Sequence, residues 1–411
     1  MLFRSGSFKP IGSLPGQEEG EEADEAVMFR STFDGNGHKI TVKLDKRMNE
    51  GTNCVGLFGV VGDFGIIRNL GVEGSVTAIG GEMNFAGGIA GISGTVSGNY
   101  ASSLIENCYS TCNIIAENAM VGGISGYGNT TRNCYNTGNL KVEGSIAYAG
   151  GVIAYSLGGP MENCYNTGNI TVKTSSAYVG GTAGCCSIIK NCFNIGDINV
   201  NCMEGCNGGA SGGIAGYVND SCSSCYNVGA LSVSGNTEEF FVGGIGGMAG
   251  GSMKSCYNVG AIKVEDENAL VGGMCGEVDG DATIDNCYCH KGTATKIVGE
   301  KGNGTVKNCG FKIMQQITNG NMVSDLNSTQ SSTFKYAGNC LPPLYWQTED
   351  TYVRVNDELG KVLCGFGGED IWRYNKAKNT LAHTLKPNPG YKVAGIKEGA
   401  DGIKYGSFKI V

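Results

Sequence analysis

Two short phrases alternate along this chain, and their recurrence constrains its fold more than any other property. The first is a small or β-branched residue, then Gly-Gly, a variable residue, a small residue and usually Gly. It begins at Ala86, Val121, Ala149, Val179, Ser211, Val242 and Val271. The second is Asn or Ser, then Cys, then an aromatic residue, mostly followed by Asn-x-Gly-x-Ile/Leu. Its cysteines are Cys108, Cys134, Cys164, Cys192, Cys225, Cys256 and Cys287, with a shortened copy at Cys309. They are spaced 26, 30, 28, 33, 31, 31 and 22 residues apart. A period near 30 that varies by several residues is a repeat with loops of unequal length.

The residues within the period decide between helix and strand. Helical repeats spend their positions on Leu, Ala, Glu and Lys. This one spends them on Gly, Asn, Val, Ile, Thr and Tyr, the residues of turns and strands. Two successive glycines would cost a helix about 2 kcal/mol. Each unit therefore reads as two or three short strands, as in VGGTAGCC, SIIKNCFN and DINVN between 179 and 201. Strands and corners repeated in this way predict an all-β parallel β-helix, a β-solenoid of about nine or ten coils. Coils stack about 4.8 Å apart, so every residue stands beside its own copy. Small residues suit close walls and sharp corners, and asparagine tolerates left-handed backbone while its amide bonds along the stack.

A divergent coil at 55–76, VGLFGVVGDFGIIRNLGVEGSV, supports the alignment. There Asn69-Leu70 occupies the place of Asn-Cys. Leucine in the cysteine slot implies that the slot is buried, so the cysteines are expected to act as small hydrophobes in an inner stack of free thiols.

Composition agrees. Of 411 residues 70 are glycine, seven are proline and 41% are hydrophobic, which excludes a collagen or a disordered chain. The net charge of −8 disfavours a nucleic-acid partner. Residues 81–285 carry 17 acidic and six basic side chains, whereas 348–411 carry eight and ten, which suggests a separate C-terminal module. The boundaries expected are an N-terminal cap and first coil at 1–50, repeats at 51–312, a closing segment at 313–347 and a small β-rich module at 348–411. The chain has no apolar run long enough for a membrane span. The N-terminus lacks the apolar core of a signal peptide, and the abrupt first coil at FKPIG suggests a piece of a longer protein.

These phrases resemble the GLUG-motif repeats of bacterial cell-surface and secreted proteins, named for Gly-Leu-x-Gly, with Gly56-Leu57-Phe58-Gly59 as the nearest copy. FKPIG (8–12) and FDGNGHKI (33–40) resemble the segment that precedes such repeats, and MVSDLNS (322–328) and LPPLYW (341–346) the segment that closes them. The resemblance implies a right-handed β-helix on an exported bacterial protein, at the cell surface or outside the cell. It implies no catalytic residues, because the motif is structural.

The residues themselves bring no catalytic set into view. The histidines, His38, His290 and His383, are far apart in sequence. His38 beside Asp34 could serve as a base, but Asn36-Gly37 reads as a polar turn. Cys222-x-x-Cys225 with Cys202 and Cys206, and Cys287-x-Cys289-His290 with Cys275 and Cys309, have spacings that zinc uses. Cys225 and Cys287 already belong to the inner stack, so no metal and no cofactor is expected. Asp279-Gly280-Asp281 and Glu265-Asp266-Glu267 read as solvated loops, not calcium loops.

The aromatic that follows each cysteine is the candidate contact surface. If cysteine points inward, its neighbour points outward. Tyr135, Tyr165, Phe193, Tyr226, Tyr257 and Tyr288 would then form an exposed stripe able to stack on sugars or dock a protein. The function expected is structural and adhesive, not enzymatic, with a glycan or a host or cell-surface protein as partner. The alternatives are an accessory, substrate-presenting region of a larger secreted hydrolase or peptidase, or a polysaccharide-active β-helix enzyme.

Overall fold

The computed structural model describes residues 9–13, 28–94, 103–328 and 333–356, apart from 157, 207, 236–238, 339 and 354. It also describes the strand backbones at 361–362, 374–375, 380–381, 391–398 and 404–410. The chain is 55% strand and 4% helix and winds as a β-solenoid of about eight turns, each of about 31 residues. That is fewer turns than the nine or ten expected, and the last one is short. After Tyr288–His290 the chain passes directly to Val298–Lys301 of the opposite wall, without the two strands that intervene in earlier turns. Residues 1–310 form one compact unit and 311–411 a second.

Among the described residues the turns build two parallel sheets, one of 22 strands and one of 17. A single turn shows the layout. Tyr165–Asn166, Ile170–Thr174 and Ala177–Gly180 lie in the larger sheet, and Ala183–Lys190 lies in the smaller. Like pairs with like along the stack: Val172 stands between Val142 and Val200, and Ile170 between Leu140 and Ile198. Within Ile170–Thr174 buried and exposed residues alternate strictly, so Ile170, Val172 and Thr174 face the core.

Two local devices turn the chain between walls. The residue before each cysteine adopts left-handed backbone, with φ of 52–55° at Asn107, Asn133, Asn163, Asn191, Ser224 and Ser255. Asparagine is among the few residues that accept this conformation at modest cost. Exposed amides at this position form a chain, with Asn133 donating to Asn107 at 3.0 Å and Asn163 to Asn133 at 3.1 Å. The second device is the glycine pair. A Cβ on Gly181 would collide with the carbonyl of Gly213 in the next turn and with the amide of Asn194. Close backbone approach, not left-handed φ, is what excludes a side chain there.

The interior is one continuous apolar cluster of Val, Ile, Leu, Ala and Cys running the length of the solenoid. Its cysteine column is the stack expected from Leu70: Cys108, Cys134, Cys164, Cys192, Cys225, Cys256 and Cys287 are all at most 1% exposed. Each thiol finds an acceptor in the carbonyl two residues before it, as Cys164 and Cys192 do at 3.2 Å. Cys309, in the short last turn, is half-buried. The cysteines described carry free thiols.

In the second unit, two short helices, Met314–Thr318 and Asn321–Leu326, bury Met314, Ile317, Met322 and Leu326. Farther on, Tyr391–Glu398 pairs antiparallel with Lys404–Ile410.

Candidate functional site

The aromatic column beside the cysteines exists, and it is not an exposed stripe. The rings of Tyr109, Tyr135, Tyr165, Phe193, Tyr226 and Tyr257 stack face to face. Their centroids are 4.8–5.1 Å apart and no pair is tilted by more than 8°. Side-chain alternation is as expected, since none of these rings belongs to the inner core cluster. Yet Phe193, Tyr226 and Tyr257 are at most 1% exposed, while Tyr135, Tyr165 and Tyr288 are half-buried. Stacking consumes the ring faces that a sugar would need, and at Phe193, Tyr226 and Tyr257 the edges are covered as well. Burial also pushes the Tyr135 phenol above its usual range. Tyr109 extends the column by one ring, which lies over Gly71 where a Cβ would strike it. Gly71 therefore accommodates the ladder.

A second aromatic group forms where the two sheets meet at the glycine pairs. Tyr127 stacks on Tyr155 at 5.7 Å, and Tyr148 on Tyr178 at 5.2 Å. The two columns then meet edge to face, Tyr148 against Tyr155 at 5.5 Å and Tyr178 against Tyr217 at 6.4 Å. Side chains on the outer faces of two different sheets touch here, so the corner is re-entrant. All five tyrosines are half-buried. Burial raises the phenols of Tyr148 and Tyr217, with the neighbouring Tyr178 and Cys185 adding to it. The signal was present in the sequence as Tyr-x-Gly-Gly at 148 and 178 and as Gly-Gly-x-x-x-Tyr at 127, 155 and 217.

The same outer column continues from Tyr217 to Met248, Glu277 and Glu300 in successive turns. Burial raises the Glu277 carboxyl above the usual range, and the negative charges of Asp279, Glu300 and Glu239 push it the same way.

Asp34 is held by other partners than His38. Its carboxylate accepts from Arg68 at 2.9 Å, Asn69 at 3.0 Å and the backbone N–H of Asn36 at 2.9 Å. Those bonds hold it below the ordinary carboxylate range, the Asn69 amide contributing most. Asn36 and Gly37 have φ of 49° and 74°, as a turn requires. In the loops, the Asp279 carboxylate accepts from the backbone N–H of Gly280 and the Asp266 carboxylate from that of Asn268. His290 is half-buried, which lowers its pKa. His383 lies outside the described residues.

Of the cysteines with zinc-like spacing, Cys222 and Cys225 are brought together with Cys256, and all three sulfurs lie within 4.8 Å of one another. Among the described residues no other three His, Cys, Asp or Glu side chains gather in this way, so Cys287, Cys289 and His290 do not form a ligand set. Among the described residues no helix is long and apolar enough to cross a membrane.

No family model matches the chain. Over 68 residues, 16% of this chain, it is 35% identical to a "Putative Gly-rich membrane protein" of Evansella cellulosilytica, of which it spans 8%. Among solved structures it is similar to one described as a "putative immunoglobulin A1 protease" from Bacteroides ovatus. The two share 18% identity over 80% of this chain and 83% of that one, with a TM-score of 0.31, a likeness too distant to carry an argument.

Proposed function

We propose that this chain is a non-catalytic, structural and adhesive region of an exported bacterial surface protein, presenting a rigid surface to glycans or to proteins of a host or cell surface. The observation that carries this reading is the re-entrant corner of Tyr127, Tyr148, Tyr155, Tyr178 and Tyr217, half-buried and held by edge-to-face contacts. Tyrosine couples an apolar ring to a hydroxyl and loses little conformational freedom on binding. A backbone paired to the turns above and below adds preorganisation, which lowers the cost of recognition. The non-catalytic part is supported by how the repeat spends its residues: the cysteines, asparagines and glycines that recur are each used to hold the stack. The exported, bacterial part is supported by the resemblance of the repeat.

A glycan array, together with a screen of immobilised cell-surface proteins, tests the reading on the wild type and a Tyr155→Ala/Tyr217→Ala variant. Binding by the wild type and its loss in the variant, with an unchanged far-UV spectrum, is expected. Equal binding by both would remove the tyrosine corner from the account.

A further inference from the structure

One position of the inner wall departs from its column. In the smaller sheet, Thr131, Met161 and Ile189 stack in successive turns, Cys222 comes next, and Met253 and Ile284 follow. Cys222 thus stands where neighbouring turns carry mostly large apolar side chains. Its sulfur projects toward the cysteine column, 4.0 Å from that of Cys256. With Cys225 it closes a triangle of three fully buried sulfurs.

We propose that Cys222, Cys225 and Cys256 form a three-coordinate thiolate site for a soft, closed-shell monovalent cation, Cu(I). Metal–sulfur bonds of about 2.3 Å arranged in a plane put sulfurs about 4.0 Å apart, so the site needs little movement. Zinc closes its structural sites with four ligands, and no fourth His, Cys or carboxylate joins these three among the described residues. Thiolates select Cu(I), which accepts three of them.

The surroundings suit thiolates. The backbone N–H of Cys225 donates to the Cys256 sulfur and that of Cys192 to the Cys225 sulfur, both at 3.4 Å. In the unloaded protein the Cys225 and Cys256 thiols donate to the carbonyls of Ser223 and Lys254. Those carbonyls also accept backbone N–H groups of Asn191 and Ser224 at 3.0 Å, so losing the thiol protons orphans neither. Binding breaks S–H bonds, forms S–Cu bonds and passes the protons to solvent; no electron is transferred. Cu(I) cancels one of the three thiolate charges and leaves two on the buried site; the three S–Cu bonds and the backbone N–H groups of Cys192 and Cys225 offset their desolvation.

The test loads the full, reduced chain with Cu(I) under anaerobic conditions against a competing Cu(I) chelator, with Zn(II) in a parallel arm. The expected result is one retained copper per chain, a sulfur-to-copper absorption band in the near ultraviolet and proton release on loading. Cys222→Ile restores the residue of neighbouring turns, keeps the fold by circular dichroism and loses the copper. Cys134→Val, in the same column but outside the triangle, keeps it. No retained copper in the wild type, equal retention by Cys222→Ile, or preference for Zn(II) would overturn the proposal.

Discussion

The side-chain amide of Asn166 donates to the side-chain carbonyl of Asn194, one turn away, at 2.9 Å inside the protein. The relation propagates, from Asn136 to Asn166 and from Asn194 through Asn227 to Asn258, each step at 2.9 Å. The second amide hydrogen is used as well, since Asn166 also donates to the carbonyl of Gly168 at 2.8 Å and accepts from the Gly168 N–H at 3.1 Å. A polar column this deep is tolerable because its donors and acceptors are satisfied along the stack.

Asn194→Ala breaks that column in the middle. One donor of Asn166 and the acceptor of Asn227 lose their partner. Chemical denaturation is expected to show a loss of about 2–4 kcal/mol. A change under about 0.5 kcal/mol would mean that surface-like exchange with water replaces the ladder.

At Cys192, outside the sulfur triangle, the cysteine column is a packing column. Cys192 is fully buried among apolar neighbours. Cys192→Val is expected to cost less than about 1.5 kcal/mol, as a near volume-conserving exchange does. Cys192→Asp puts a carboxylate in the same place and is expected to cost more than about 3 kcal/mol. Thermal melts of the two variants side by side distinguish this from a stack that tolerates any small residue.

Thr131 occupies the apolar column between Ile105 and Met161, fully buried, with no hydrogen-bond partner for its hydroxyl among the described residues. Thr131→Val keeps the shape and removes the buried hydroxyl. A gain of about 1 kcal/mol in unfolding free energy is expected; a loss would reveal a partner for the hydroxyl.

Glu277 supplies a pH test. Its folded carboxyl titrates above the ordinary range because of burial and the charges of Asp279, Glu300 and Glu239. A raised folded pKa means the folded state holds the proton more tightly than the unfolded chain. Its ionisation therefore destabilises the fold above that pKa, and stability returns as pH falls toward the ordinary carboxylate value. Glu277→Gln is expected to be more stable than wild type at pH 7, with the difference shrinking at pH 4. A constant difference in denaturation midpoint across that interval would contradict the assignment.

The sequence by itself determined the ladder. In a parallel stack each residue meets its own copy, so a column such as Cys134, Cys164 and Cys192 is readable as a repeated letter, and Leu70 in that slot shows that it faces inward. Left-handed asparagines and paired glycines were legible for the same local reason. Only the tertiary structure decided what lies across the columns. Alternation places Phe193, Tyr226 and Tyr257 on the outer side of their sheet, but whether that side is covered is not a local property. The meeting of Tyr148 with Tyr155 depends on the angle between two sheets at a glycine corner. The approach of Cys222 to Cys256 depends on how sharply the left-handed Ser224 and Ser255 turn the chain at the corner that follows the Cys222–Met253 pair. Periodicity reports neighbours along the stack, and contacts between walls follow from the cross-section into which the turns close.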